Sequence, residues 1–359
     1  MDRARSRACC GDSMKLSYET IDLRTRFPFV IARWGYAGHR NVIVTITDSD
    51  GLQGMGEAAP NKYYGETPDS VAAALDQYAP VLERADLWSL EATERSLETA
   101  LRLNCSARAA VSAALHDLIG KRLGIPVHRL WGLDPAANPQ SSFTIAIADN
   151  EGLRQRVADA AEYPILKIKL GTDRDEEIVR VVREAAPGTR LRVDANAAWT
   201  PAHAVRMSEF LGDMGVEMLE QPVAAQDIEG LRFVRERSKI PVFADESCLV
   251  ATDIPRLADA VDGINIKLAK CGSLREALRM IHTARSFGMK VMAGCMIETS
   301  LGISAIAQLA PLLDAADFDG AALLAEDPYR GATISGGNIS LPSAPGLGVT
   351  AAAASRARA

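Results

Sequence analysis

The chain has 359 residues and a mass of 38.5 kDa, too long for one small compact domain and about right for a large barrel carrying a second domain. Its 48% hydrophobic and 24% charged residues exclude disorder, collagen-like repeats and fibrous structure. A net charge of -6 and a pI near 5.5 exclude the broad positive field that nonspecific nucleic-acid or anionic-membrane binding requires, so a soluble protein with a small-molecule partner is expected.

Residues 1–13, MDRARSRACCGDS, are polar and arginine-dotted, and read as a disordered leader or as sequence before a true start at Met14. No apolar run is long enough to span a membrane, and the N-terminus lacks the apolar core of a signal peptide. The six cysteines, at 9, 10, 105, 248, 271 and 295, form no C-x-x-C pair, which fits a reducing, cytoplasmic location. Histidines 39, 116, 128, 203 and 282 have no ligand spacing and read as packing or pocket wall.

From Lys15 to about Thr47, KLSYETIDL and NVIVTITDSDG alternate as antiparallel strands do, the second closing at the turn dipeptide Asp50-Gly51. GLQGMGE, just beyond, has the wrong glycine spacing for a dinucleotide fingerprint and no βαβ unit after it. Thr67-Pro68 supplies an N-cap and first helical residue, and the alanine-rich run Ser106 to Lys121 predicts a second helix that Gly124 can end. Strands followed by helices predict a separate α+β unit over residues 14–130.

Beyond Gln140 short apolar strands alternate with helical stretches: SFTIAI, ILKIKL, LRVDAN, EMLEQP, VFADES, GINIKL, KVMAG and AADFDG. Polar residues end the middle strands at Lys169, Asp194, Glu220, Asp245 and Lys267, at intervals of 25, 26, 25 and 22 residues. Each interval is one βα unit. Eight units make a TIM-type barrel, whose chemistry sits at the C-terminal strand ends where these five residues fall.

Asp194, Glu220 and Asp245 end consecutive strands, so their carboxylates converge as hard oxygen ligands of the kind Mg²⁺ takes. Acids there could instead cap the following helices, although Thr200 and Ser247 are better placed to do so. Lys167 and Lys169, two apart on one strand, face the same side. Mutual repulsion and burial are expected to lower their pKa values, making Lys169 a candidate base and placing Lys167 to tune it and touch a substrate carboxylate. Lys267 lies four strand steps from Lys169, hence across a closed ring, where it can serve the opposite face of a bound carbon; a lone lysine is otherwise a surface residue. Asp317 and Asp319 in DFDG could grip a cation such as an amino terminus, and solvated loop acids are an equal reading.

Taken together, K-I-K at 167–169, V-D-A-N at 193–196, L-E-Q-P at 219–222, A-D-E-S at 244–247 and N-I-K-L-A-K-C-G-S at 265–273 resemble the muconate-lactonizing subgroup of the enolase superfamily. G-M-G-E-A-A-P at 54–60 and the helix at 107–121 join the match, which covers nearly the whole chain after Met14. The resemblance implies an α/β fold, a (β/α)7β modified TIM barrel over residues 131–327, with an N-terminal α+β capping domain over 14–130 to which the segment 328–359 returns. It also implies Mg²⁺ on Asp194, Glu220 and Asp245, and an enediolate formed when an α-proton leaves a carboxylate substrate.

Within the subgroup, D-F-D-G at 317–320 resembles the D-x-D signature of dipeptide epimerases of the L-Ala-D/L-Glu type, and G-C-M-I-E-T-S, containing Glu298, their preceding strand. This implies epimerisation at the α-carbon of the C-terminal residue of a dipeptide, with Lys169 and Lys267 alternating as base and acid. The enzymatic alternatives are a muconate-type cycloisomerase or an o-succinylbenzoate synthase; a noncatalytic metal-carboxylate binder gains nothing from two lysines. A mobile cap loop at Phe29 to Arg40 is expected to meet the substrate side chains. Arg33 there would favour an acidic side chain; Trp34, with Tyr36, Tyr63 and Tyr64, a bulky or apolar one. Homo-oligomer formation is left open, and neither nucleic acid nor membrane is an expected partner.

Overall fold

The computed structural model describes residues 13–352, except for the side chains of residues 36 and 37. Residues 1–12 of the expected leader, and the Tyr36 side chain, therefore lie outside the described residues. The first sheet is the antiparallel meander β1 (Lys15–Val30), β2 (Gly35–Thr47) and β3 (Gln53–Ala58). Lys15 pairs with Thr47 and Val30 with Gly35, with an irregularity between Arg24 and Phe29. The segment from Phe29 to Arg40, expected as a loop, is thus the far end of a long hairpin. Only its tip, where Ile31 N–H donates to Trp34 O at 3.0 Å, is a turn.

Three helices cover this sheet: α1 (Pro68–Leu82), α2 (Leu90–Ala100) and α3 (Cys105–Leu123). Thr67 caps α1 by accepting from Ser70 N–H, and Gly124, at φ 70°, ends α3, as the turn and cap residues predict. GLQGMGE is the segment that α3 packs against. A Cβ at Gly54 or Gly56 would overlap the Ala114 or Ala110 carbonyl oxygen, so glycine there sets how closely β3 and α3 approach.

After the single turn α4 (Val127–Leu130), eight parallel strands follow: β4 (Phe143–Ile145), β5 (Ile165–Lys169), β6 (Arg190–Asp194), β7 (Val216–Glu220), β8 (Val242–Ala244), β9 (Gly263–Ile266), β10 (Lys290–Gly294) and β11 (Ala315–Asp317). All eight predicted strands form, in sequential order. Ser142 N–H donates to Ala316 O at 3.0 Å, and Ser141 bridges Ala316 in parallel, bringing the last strand to the first. The connections are α5 (Asn150–Asp159), α6 (Asp175–Ala185), α7 (Pro201–Asp213), α8 (Ile228–Arg235), the short α9 (Ile254–Leu257), α10 (Leu268–Cys271) with α11 (Leu274–Ser286), and α12 (Ser300–Ala307). Seven connections between eight strands give the (β/α)7β pattern.

Every residue of β5 is buried, as helices outside and side chains inside a barrel require. Past the barrel, the chain runs back over α3 and α4: Val127 N–H donates to Gly346 O at 2.9 Å and Leu347 N–H to Asp117 Oδ1 at 2.7 Å. Among the described residues, no helix is long and apolar enough to cross a membrane.

Candidate metal centre and active site

Strand register builds the site. Lys169 pairs with Asp194 across β5 and β6, and Asp194 with Glu220 across β6 and β7, so three functional side chains reach the C-terminal rim at one level. Asp245 follows β8 and Lys267 follows β9, completing an arc over five consecutive strands. One oxygen each from Asp194, Glu220 and Asp245 lies within 4.8 Å of the others, and all three residues are buried. Three hard oxygen donors converging at that spacing, away from bulk water, fit a divalent cation such as Mg²⁺.

Helix capping does not explain these acids. Thr200 caps α7 by accepting from His203 N–H, as expected. Ser247 caps no helix, against expectation: its Oγ accepts from Gln221 Nε2 and donates to Ala225 O, both at 2.8 Å.

The lysines hold the trio from different sides. Lys169 Nζ donates to Asp194 Oδ2 at 2.6 Å and Lys267 Nζ to Asp245 Oδ2 at 2.7 Å. Lys167 sits deeper, 2.8 Å from both Asp317 Oδ2 and Glu220 Oε2 and 3.4 Å from Asp194 Oδ2; its contact with Glu220 lacks hydrogen-bond geometry. The ring of acids overturns the expectation of a lowered pKa for Lys167. Burial pulls Lys167 down, but Asp317, Glu220 and Asp194 raise it well above its usual value. Lys267 is likewise raised: burial works most strongly against its charge, and Asp245 together with Glu220 and Asp194 outweighs it. Among the acids, burial opposes ionisation of Asp194, yet Lys169 and Lys167 hold it down at about 2. Burial and then Asp194 push Glu220 up to about 7.

Asp317 and Asp319 stand on the other side of the cavity. Asp317 accepts from Lys167 and from Ser142 Oγ at 2.8 Å, so much of its charge is already met within the protein. Asp319 accepts Thr144 N–H at 2.6 Å, and burial followed by the Asp317 charge raises it to about 7. Both acids line a cavity of about 100 Å³ together with the three lysines, Asp245, Arg33 and Trp34. A larger cleft of about 660 Å³ shares only Phe29, Thr144 and Leu323 with it. None of the lysines or metal ligands lines that cleft, so the chemistry belongs to the smaller space.

Two expected substrate contacts are occupied or turned away. Arg33 donates to Asn196 O and Glu246 Oε1, both at 2.6 Å, and lies 4.2 Å above the Tyr63 ring. Glu298 does not line the cavity; its carboxylate accepts Met296 N–H at 2.9 Å, and burial and then Glu57 raise it to about 7. A carboxyl beside buried Glu57 belongs to the junction between the cap sheet and α12, where Glu57 Oε1 accepts from Asn41 Nδ2 at 2.7 Å and Oε2 from Gly302 N–H at 2.9 Å.

Several site residues were present in the sequence motifs without an assigned role. Asn265 Nδ2 donates to Glu220 Oε1 at 2.7 Å. Gln221, in the left-handed region at φ 35°, accepts Asp245 N–H at 2.9 Å and Ser247 N–H at 3.1 Å on one oxygen. Lys270 Nζ reaches Asp245 Oδ1 at 2.6 Å. Their letters stand inside L-E-Q-P and N-I-K-L-A-K, but pairwise spacing does not say which ligand each supports.

The comparisons agree with this arrangement. The description "Mandelate racemase / muconate lactonizing enzyme, N-terminal domain" matches residues 17–132, and "Enolase C-terminal domain-like" matches residues 151–355. An L-Ala-D/L-Glu epimerase of Bacteroides thetaiotaomicron is 37% identical over 94% of this chain and 88% of its own. A hydrophobic dipeptide epimerase of Roseobacter litoralis is 39% identical over 93% of this chain and 98% of its own. The solved dipeptide epimerase of Enterococcus faecalis, complexed with Mg and the dipeptide L-Leu-L-Tyr, superposes with a TM-score of 0.89 at 31% identity, over 94% of this chain and 99% of that one. With both of its parts matched and these relatives aligned almost end to end, the chain belongs to the mandelate racemase/muconate lactonizing enzyme family of the enolase superfamily.

Proposed function

We propose that this protein is a Mg²⁺-dependent dipeptide epimerase that moves a proton between the two faces of the α-carbon of the C-terminal residue. One observation carries this reading: Lys169 and Lys267 are bonded to different members of one carboxylate trio, on strands four steps apart around the barrel. Amines so placed address a carbon between them from opposite sides, one removing the proton and the other returning one. The names of the relatives, epimerases acting on dipeptides, support it.

Asp194, Glu220 and Asp245 would hold the ion. When bound, it would supply Lewis-acid stabilisation of the charge that develops on the substrate carboxylate. Asp319, with one oxygen on Thr144 N–H and a place in the same cavity, receives the substrate ammonium, with Asp317 behind it. Lys167, tied to Asp317 and near Glu220, links the two acid groups electrostatically. The ammonium grip is what a cycloisomerase has no use for. The free thiols among the described cysteines support a cytoplasmic setting.

Incubation of the protein and Mg²⁺ with a dipeptide library in D₂O tests the proposal. A mass gain of one deuterium on dipeptides, lost when Lys169 and Lys267 are both replaced, is expected. A silent library with turnover of muconate defeats it.

A further inference from the structure

Arg33 stands at the tip of the β1–β2 hairpin, over the mouth of the cavity, where a guanidinium would ordinarily meet an acidic substrate side chain. Here it is engaged by the protein. One terminal nitrogen donates to Glu246 Oε1 and the other to Asn196 O, each at 2.6 Å, and the guanidinium plane lies against Tyr63. Glu246 is the decisive partner, because its side chain is only 1% exposed and Arg33 is its single ion-pair partner among the described residues. Turning Arg33 toward a substrate carboxylate would leave that buried acid uncompensated, a loss on the order of a hundredfold or more in binding. Among the described residues, the buried Arg33 Nε–H has no acceptor.

With this charge cancelled, the uncharged lining of the cavity includes Ile31, Trp34, Tyr63, Tyr64, Met296 and Ile297, with neutral polar groups such as His39 and Asn61 among them. Apolar and aromatic side chains make up most of that uncharged wall. Resting on the dipeptide epimerase reading, we infer that the residue epimerised carries an uncharged, apolar or aromatic side chain, and that the Arg33–Glu246 pair is the specificity element rejecting acidic ones. Binding an acid here would require breaking a contact made before the substrate arrives, whereas an apolar side chain only covers it.

The test compares α-proton exchange in D₂O, with Mg²⁺, on L-Ala-L-Leu, L-Ala-L-Phe, L-Ala-L-Glu and L-Ala-L-Lys. The wild type should favour Leu and Phe by at least about tenfold in kcat/KM over Glu and Lys, a difference burial of one such side chain can supply. Glu246→Gln removes the counter-charge and leaves Arg33 in place, so the Glu-to-Leu ratio should rise about tenfold or more. The ratio is read on one protein sample and does not depend on how much of the variant is active. In Arg33→Met, which removes the guanidinium and leaves Glu246, the Glu-to-Leu ratio should not rise. Preference of the wild type for Glu or Lys, or a Glu-to-Leu ratio unmoved in Glu246→Gln, overturns the inference and leaves the epimerase reading standing. Exchange on no dipeptide at all overturns both.

Discussion

Lys270 Nζ donates to Asp245 Oδ1 at 2.6 Å while Lys267 Nζ takes Oδ2 at 2.7 Å, so the two oxygens of one carboxylate are divided between lysines three residues apart. Their roles differ. Lys267 lines the cavity, but Lys270 has a wholly buried side chain whose other acceptors are the carbonyls of Asp245 at 2.6 Å, Asn265 at 2.7 Å and Cys248 at 3.2 Å. Lys270 is a positioning residue: it fixes the Asp245 rotamer and ties the ends of β8 and β9 together.

Lys270→Met should therefore weaken Mg²⁺ binding by about 10–100-fold, the usual cost of losing an outer support of a metal ligand. Isothermal titration calorimetry with Mg²⁺ alone reads this without turnover. An unchanged affinity in a variant of native circular dichroism would show that Asp245 needs no such support.

The proposed two-sided proton transfer predicts face-specific defects. Lys169→Ala should lose exchange from one epimer by about 10²–10⁴-fold and Lys267→Ala from the other, because each amine addresses one face. Exchange measured separately on the L,L and L,D forms of one dipeptide decides it. Equal losses on both epimers in both variants would assign the lysines to binding instead.

Asp319 gives a pH dependence. Burial and the neighbouring Asp317 raise it to about 7, so the carboxylate proposed to grip an ammonium forms only as pH rises through that region. Activity on free dipeptides should climb between pH 6 and 8, on the order of one unit either side of that value. Stability moves the other way: a carboxyl raised in the folded state contributes most below its unfolded value of about 4, and that contribution is lost as pH rises through about 7. Asp319→Asn should flatten the thermal-melting difference over that window. The same variant should lose about tenfold or more on free dipeptides and far less on N-acetylated ones.

Glu57 joins the cap sheet to the barrel. Its wholly buried carboxylate accepts Asn41 Nδ2, Thr299 Oγ1 and the backbone N–H groups of Thr299 and Gly302, at the start of α12. Glu57→Ala removes the acceptor of all four donors, of which Asn41 Nδ2 keeps only Ile297 O, and should destabilise the protein by about 3 kcal/mol or more. Urea unfolding checks it. A loss below about 1 kcal/mol would mean water replaces the carboxylate, as at an ordinary surface hydrogen bond.

By itself the sequence determined the barrel and its chemical rim. A βα unit has a nearly fixed length, so polar residues recurring every 22–26 positions had to fall at successive strand ends, and Asp194, Glu220 and Asp245 had to converge. The same count put Lys267 across the ring from Lys169. Local turn and cap signals placed α1 and α3 to within a residue or two, since a cap is a contact between near neighbours. The third cap strand was not read from GLQGMGE, because two glycines chosen for close helix approach carry none of the β-branched alternation that marks a strand.

What only the tertiary structure decided is which charge answers which. Arg33 and Glu246 are 213 residues apart, and Lys167 and Asp317 are 150 apart. No spacing rule relates them, and a buried charge settles on whichever opposite charge the fold brings nearest. For that reason Lys167 is raised rather than lowered, Glu298 faces the cap junction rather than the cavity, and the arginine that could have met a substrate is held by a buried acid.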